Sequence, residues 1–474
     1  MSKILLIGLP ADRYTQPMLG LGYIGAALMN KGHTIKVHDM ASENCGNIAQ
    51  IEKEIKEFKP DSVGISVLTA QFTKAKEIVK AIKKLDTKII TVMGGPHISA
   101  LPEYTLKTVS EVDFVFAGEG EISFPEFIKL HNSGGDFSKV SGLGYRKNGQ
   151  IFNNKAEIIK DISLLDFPWK LLNPLNYNKG ELQGYTAKRR PVVTVVSSRG
   201  CPYRCTYCAQ MSVFSYHFRV RDPINFVDEM EYLNKNFGIR EIQLADDNFT
   251  FYRDHAVKVC EEILKRKLDV TWALINGVRI DKLDTELLKL MKKAGCYYMA
   301  FGLEFGSPRI LQHCKKGLSE DGLKTGYQNV KIASKMGFIT HGFFLMGYPF
   351  EKEEDIDMTT ALIKKLPLDR ISIGMPIPYP GSEIFNYYMK NKFKSLDNIN
   401  WDDYNEGNFK PIWEHLSGTT VATKIRKTYM MFYLNPVNML RFLLKLRTLE
   451  QFKATFNGFR RGLLNTFLRI YTTK

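Results

Sequence analysis

Residues 192–208 read VVTVVSSRGCPYRCTYC, an apolar run that ends in small residues and passes straight into Cys201, Cys205 and Cys208. Thiolates ligate iron–sulfur clusters, usually four to a cubane. Three in one short loop leave one iron of a four-iron cluster without a protein donor, open to a ligand that chelates through an amino and a carboxylate group. A structural zinc site wants four ligands, commonly two separated pairs, and no second cysteine pair is present. The other cysteines, Cys45, Cys260, Cys296 and Cys314, are scattered and read as small packed hydrophobes. An odd total of seven, with no secretory signal, argues for thiolate chemistry in a reducing compartment rather than a disulfide framework.

Downstream, the run at 192–198 opens a series. Strand-like segments recur at 239–245, 270–275, 297–303, 338–346 and 370–377, separated by helix-length segments such as 222–236 and 319–336. Six consecutive βα units predict a barrel-like parallel sheet, smaller than the eight-unit barrel, with its chemistry at the carboxyl ends of the strands. Those ends carry the cysteine loop, Asp246-Asp247-Asn248, Arg279, Gly302-Leu303-Glu304, Gly347-Tyr348-Pro349 and Pro378-Tyr379-Pro380. Each acid or arginine there also has a plainer reading as a salt bridge. Tyr298, His341 and Tyr348 either reach the cavity or pack as barrel residues.

Upstream, strand candidates lie at 3–9, 33–39, 61–67, 88–94 and 112–118. Between the third and fourth, 71–85 carries Phe72, Ala75, Ile78, Val79 and Ile82 at helical spacing. Five strands alternating with helices predict a doubly wound parallel sheet whose ligand sits beyond the carboxyl ends. There stand Ser66-Val67-Leu68-Thr69, Gly94-Gly95-Pro96-His97 and Gly118-Glu119-Gly120-Glu121. Small residues at several strand ends let a large, flat ligand approach the backbone; the plainer reading is tight turns. The polar, turn-rich stretch from 132 to 190 reads as a connection. The chain is therefore expected to be α/β, divided into 1–135, a connecting 136–190, a partial barrel over 191–385 and a helical region over 386–474.

With its glycine before and aromatic within, the cysteine loop resembles the radical S-adenosylmethionine superfamily, whose hallmark is CxxxCxxC after the first barrel strand. The likeness covers roughly 190–385. It implies a [4Fe–4S] cluster on Cys201, Cys205 and Cys208, with S-adenosylmethionine on the open iron. It also implies cofactor contacts from Asp246, Asp247, Arg279 and Glu304, although the small-residue-plus-acid motif usual at the second strand end is not literal here. The amino-terminal part is similar to the cobalamin-binding domain fused to many such enzymes, through Pro17–Tyr23, Val63–Ser66, Gly94–His97 and Gly118–Glu121. That likeness implies cobalamin held by Ser66, Thr69, Gly94, Gly95, His97, Gly118 and Glu119. None of the nine histidines stands in Asp-x-His-x-x-Gly, so the implied state is cobalamin without a protein histidine under the cobalt. The implied chemistry is cleavage of S-adenosylmethionine to a 5′-deoxyadenosyl radical, hydrogen abstraction from an unactivated carbon and methyl transfer from cobalamin. The alternative is oxidative ring closure, as in the anaerobic magnesium-protoporphyrin ester cyclase. A ferredoxin- or flavodoxin-type electron donor is implied. A non-catalytic sensor would need neither the open iron nor a cofactor-lined barrel mouth.

The net charge is +16, and residues 421–474 hold eleven Lys or Arg against the single acid Glu450. Phe456, Phe459, Leu463, Phe467 and Ile470 share one helical face, with Arg460, Arg461 and Arg469 nearby, and Arg441 and Lys445 sit four apart in an apolar run. Two readings stay open: a helix lying on an anionic membrane, or a helical cap on the barrel with a solvated basic face. Nucleic acid is not expected, because the tail is too apolar for a phosphate-binding arm. No stretch reaches the roughly 20 apolar residues of a spanning helix. The expected location is cytoplasmic, with peripheral contact at the inner face of the membrane on the first reading and a hydrophobic small molecule as substrate.

Overall fold

A computed structural model describes residues 1–9, 16–40, 47–177, 187–404, 409–453 and 455–456. They form two compact units, one of Met1–Gly180, Ser198–Arg221 and Ile377–Lys410, the other of Glu181–Ser197, Asp222–Pro376 and Pro411–Lys474.

The first unit is built on seven strands: β1 (Lys3–Gly8), β2 (Thr34–Asp39), β3 (Ser62–Ser66), β4 (Ile90–Gly94), β5 (Phe114–Phe116), β6 (Leu143–Lys147) and β7 (Gln150–Asn153). Their order is β2-β1-β3-β4-β5-β6-β7. The first five run parallel, as the alternation with helices requires. Helix Phe72–Leu85 turns Phe72, Ala75, Ile78, Val79 and Ile82 inward, the stripe its spacing predicts. Ile4, Leu6, Leu28, Phe124 and Phe127 join one buried cluster, each large side chain contributing about 2 kcal/mol by leaving water.

The stretch expected to be a mere connection adds a hairpin to this sheet. β6 pairs antiparallel with both β5 and β7. Its turn is Asn148-Gly149, both at positive φ (52° and 77°), the two-residue geometry whose twist matches that of the flanking strands. Leu143, Gly144 and Tyr145 of β6 are buried, so a polar segment still closes one edge of the sheet.

The second unit begins with β8 (Val192–Val195). The chain then enters the first unit for the short ladder of β9 (Ser198–Arg199) and β10 (Arg219–Val220). Back in the second unit follow β11 (Glu241–Leu244), β12 (Thr271–Val278), β13 (Cys296–Glu304), β14 (Ile339–Leu345) and β15 (Arg370–Gly374). The six long strands lie in the order β15-β14-β13-β12-β11-β8, all parallel. Near their carboxyl ends a β-carbon on Gly277 would lie 3.0 Å from the Gly302 nitrogen, so the close approach of β12 to β13 there favours glycine at 277.

Helix Gly418–Tyr433 covers the free edge of β15. The Tyr429 hydroxyl accepts from the Ile373 nitrogen at 2.7 Å, and the Tyr433 hydroxyl donates to the Ile371 carbonyl at 3.1 Å. Arg441 and Lys445 both bind the wholly buried Asp369, at 3.3 and 2.6 Å. Two of the tail's basic residues are thus part of a packed cap. Of the apolar tail face only Phe456 is described, and it is exposed; Phe459, Leu463, Phe467, Ile470, Arg460, Arg461 and Arg469 lie outside the described residues, as does Cys45. Among the described residues no helix is long and apolar enough to cross a membrane.

Candidate functional site

The cysteine loop is tied at both ends and in the middle. At its root Arg199 of β9 pairs with Arg219 of β10. Gly200, at φ +86°, lies so close to the His217 carbonyl that a β-carbon would meet it at 2.2 Å. Midway, the Thr206 carbonyl accepts from the Ile384 nitrogen at 2.9 Å. Between these anchors Cys201 and Cys205 are half-buried and Cys208 is exposed. Among the described residues no three His, Cys, Asp or Glu side chains lie close enough to share a single metal ion. The CxxxCxxC sequence spacing and the exposure of the three thiols suit a multi-iron cluster, whose ligands stand on separate irons. Cys260, Cys296 and Cys314 are all buried, and burial pushes the Cys260 thiol up to about 12, far from thiolate chemistry.

The second sheet gathers polar groups at its carboxyl edge. Asp246, just past β11, is buried and accepts from the Ser197 nitrogen at 2.7 Å and from its hydroxyl at 2.6 Å. It thereby fixes the last residue of the chain before the cysteine-bearing segment. Asp247 is exposed. Beside it the Asn248 carboxamide is buried, with no partner for either its oxygen or its nitrogen among the described residues. A buried amide left this way is costly unless a ligand or ordered water meets it, so Asn248 fits a group with amino and carboxylate functions. Glu304 closes β13 at φ +61°, a conformation uncommon for any residue but glycine, and its carboxylate binds Lys316 at 2.9 Å. Arg279, beyond β12, grips Asp281 through two bonds of 2.9 and 3.1 Å and donates to the carbonyls of Lys316 and Gly317. The arginine thus holds the turn from which Lys316 reaches Glu304.

Deeper in the same sheet, the Tyr298 hydroxyl meets His341 Nδ1 at 2.5 Å, and His341 Nε2 meets the exposed Ser372 hydroxyl at 2.9 Å. Burial, reinforced by Arg370, pushes His341 well below the usual range and keeps it neutral. Tyr348 packs edge-on to Phe305 and Phe350. Glu351 is wholly buried; one oxygen accepts from the Gly347 and Tyr348 nitrogens and the other has no partner among the described residues.

In the first sheet the strand ends are fitted to neighbouring backbone. A β-carbon on Gly95 (φ +92°) would meet the Val67 nitrogen at 2.8 Å and the Ser66 hydroxyl at 2.9 Å. Gly94 has only ordinary contacts. A β-carbon on Gly118 (φ +79°) would lie 3.1 Å from Ala156 and 3.6 Å from the Val213 carbonyl, in the helix that follows the cysteines. His97 is buried between Phe72 (4.3 Å between centroids) and Trp401 (4.8 Å), with Thr69 at 3.4 Å from Nδ1. Burial, helped by Lys76, lowers it to about 3, so the ring is neutral, and its Nε2 has no partner among the described residues. Glu119 is engaged by Arg199 and Arg219. The residues that sequence reading left without a role are Lys316, Asp281, Arg199 and Arg219, and Glu121 figured there only within its strand-end motif. Arg199, Arg219 and Glu121 act through partners distant in the chain and Lys316 through one twelve residues back, which no local pattern signals; Asp281 stands two residues from Arg279.

Two family models match the chain, a B12 binding domain over residues 11–128 and the radical SAM superfamily over 195–375. An uncharacterized methyltransferase of Pyrococcus horikoshii is 30% identical over 442 residues, spanning 92% of this chain and 93% of that protein. The anaerobic magnesium-protoporphyrin IX monomethyl ester cyclase of Rubrivivax gelatinosus is 26% identical, over 88% of this chain and 74% of the cyclase. Among solved structures, the radical S-adenosylmethionine methyltransferase TsrM of Kitasatospora setae, with cobalamin and a [4Fe–4S] cluster bound, superposes with a TM-score of 0.69 at 21% identity. The match covers 81% of this chain and 78% of TsrM.

Proposed function

The chain belongs to the cobalamin-binding radical S-adenosylmethionine enzymes, and on that premise we propose that it methylates an unactivated carbon of a hydrophobic substrate, lipid or tetrapyrrole in character. Its cofactors are a [4Fe–4S] cluster, S-adenosylmethionine and cobalamin; when bound, they supply a carbon-centred radical able to take hydrogen from an unreactive C–H bond and a methyl group to replace it. The observation that carries the reading is the three-thiol loop that follows the first strand of a six-stranded parallel sheet, in a chain whose amino-terminal sheet has five parallel strands and matches the cobalamin-binding family.

In this reading Cys201, Cys205 and Cys208 hold three irons. Asp246 fixes the entry of the loop through Ser197. Asn248 and the Glu304–Lys316 pair present polar groups to S-adenosylmethionine, with Arg279 setting the position of Lys316. Ser66, Thr69, Gly94, Gly95, Gly118 and the turn they border would shape the cobalamin side, with His97 buried beside Thr69 between Phe72 and Trp401. The electron comes from a ferredoxin- or flavodoxin-type donor.

A hydrophobic substrate is supported by the cap. Leu434, Val437, Leu440, Leu444 and Leu449 are each more than half exposed, and Arg426, Lys427, Arg447 and Lys453 stand exposed among them in the chain. Such a surface gains from the headgroup boundary of an anionic membrane, roughly 1 kcal/mol per basic residue near it. Full-length protein should float with anionic vesicles, less so in salt, and Leu440→Ser/Leu444→Ser should not. Flotation equal to wild type in that variant would remove this support. The reaction is tested by mass spectrometry of lipid and pigment extracts with and without the gene, followed by anaerobic assay with methyl-labelled S-adenosylmethionine. Label in the product identifies methylation. A product two hydrogens lighter and unlabelled identifies the second reading, oxidative ring closure, which the 26% identity to the ester cyclase supports.

A further inference from the structure

Four charged side chains lie buried where the cysteine loop leaves and rejoins its ladder. Arg199 donates to Glu119 at 2.8 Å and to Glu121 at 2.7 Å. Arg219 donates to the other oxygen of Glu119 at 2.6 Å and to the Ile159 carbonyl at 2.6 Å. That same Glu119 oxygen accepts from the Ile159 nitrogen at 2.9 Å. Aromatic rings close the group: Tyr23 lies 5.1 Å from Arg199, and Phe214 lies 6.0 and 5.8 Å from the two guanidinium carbons. Each of the four side chains is less than a tenth exposed. Burial opposes the charge on Arg199, and Glu121 and Glu119 outweigh it.

Burying two arginines and two glutamates is an inefficient way to gain stability, because desolvation cancels much of the attraction. What such a group does well is fix geometry, since an arginine fork accepts carboxylates only in defined directions. Its two halves come from meaningful places. The arginines flank the thiols, Arg199 two residues before Cys201 and Arg219 opposite it in the ladder. The acids stand in the turn that leaves β5, at the edge where a doubly wound sheet takes its ligand.

We infer that Glu119 and Glu121 are positioning residues for the iron–sulfur cluster, and that through them the cobalamin side of the first unit controls how firmly the cysteine loop holds iron. The inference rests on the cluster reading of Cys201, Cys205 and Cys208. Whatever orders the turn at 118–121 orders Arg199 and Arg219, and by linkage a filled cysteine loop favours the same ordered turn.

The test uses anaerobically reconstituted full-length protein and follows iron loss to a ferrous chelator, with and without hydroxocobalamin. Wild type should lose iron several-fold more slowly with hydroxocobalamin bound. Glu119→Gln/Glu121→Gln should lose iron at least tenfold faster than wild type, with no slowing by hydroxocobalamin and a shifted paramagnetic resonance spectrum of the reduced cluster. Arg199→Lys, which keeps the charge and loses the fork, should fall between. Glu121→Gln alone removes one bond of the group and serves if the double variant does not fold. A folded variant that releases iron at the wild-type rate overturns the positioning role, and one that keeps the hydroxocobalamin effect overturns the coupling. A wild-type protein that takes up no iron overturns the cluster reading itself, a result distinct from either.

Discussion

At the carboxyl edge of the first sheet Gly95 has no room for a β-carbon beside Val67, and Gly118 is confined by Ala156 and the Val213 carbonyl. At the same edge of the second sheet the close contacts are electrostatic: Asp246 on Ser197, Lys316 on a Glu304 held at positive φ, and Arg279 across the turn that carries Lys316. Around Gly95 the first edge is shaped by missing atoms, with charge confined to the Glu119–Glu121 turn, whereas around Glu304 the second is shaped by placed charges. A surface made by shape should tolerate changes of charge and fail when an atom is added; a surface made by paired charges should do the reverse.

The comparison is tested most severely by taking away the thiols between the two edges in sequence. Replacing Cys201, Cys205 and Cys208 by Ala should abolish bound iron, sulfide and S-adenosylmethionine cleavage. Thermal unfolding should match that of cluster-free wild type, because the loop is anchored by Arg199, Arg219 and the Thr206 carbonyl rather than by the thiols. Near-normal iron in the triple variant contradicts the assignment of the ligands.

Lys316→Met comes next. It leaves the partly buried Glu304 without its cation and should cost about 2 kcal/mol of unfolding free energy, most of it recovered by adding Glu304→Gln. Denaturant titration of the single and double variants measures this, and additive losses would mean that the pair is not what holds this edge. In the first sheet, Gly95→Ala should cost about 2 kcal/mol from strain and overlap, whereas Gly94→Ala one residue away should cost no more than about 0.5 kcal/mol. Equal costs at 94 and 95 would erase the distinction between the edges.

The smallest effect is a pH slope. Desolvation raises Glu351 from the usual value of 4.5 to about 8, against the pull of the Tyr348 and Gly347 nitrogens. Below 4.5 both folded and unfolded chains hold the proton, and between 4.5 and about 8 only the folded chain does. Its contribution to stability therefore falls as pH rises through that window, with a slope of at most about 1.4 kcal/mol per pH unit. Glu351→Gln keeps an acceptor for the two nitrogens and should flatten the slope; an unchanged slope would assign it to other groups.

Periodicity carried most of the fold. Each of the eleven expected parallel strands overlaps an observed one, because a strand buried between helices needs a short apolar run and little else. The hairpin of β6 and β7 was hidden in a polar stretch, although Asn148-Gly149 is a strong turn signal that a search for apolar runs passes over. The thiols were legible because their ligand spacing is local. Lys316 for Glu304, and Arg219 for Glu119, were not, because nothing near either acid in the chain specifies its partner. The tail was legible only as composition: the same basic residues suit a solvated face or a buried pair, and Arg441 and Lys445 prove to be pairs on Asp369.

The tyrosines along β15 have a consequence for solubility. A six-stranded sheet that does not close on itself leaves a row of backbone donors and acceptors at its edge, a template for the strand of any passing chain. Tyr429 and Tyr433, stacked 6.2 Å apart, set their hydroxyls against the nitrogens and carbonyls of Ile371 and Ile373. A side chain can satisfy those groups without offering a further row of its own, so strand addition stops there. With Tyr429 and Tyr433 changed to Phe, the fold would keep its rings and lose this barrier, and the first symptom would be concentration-dependent aggregation.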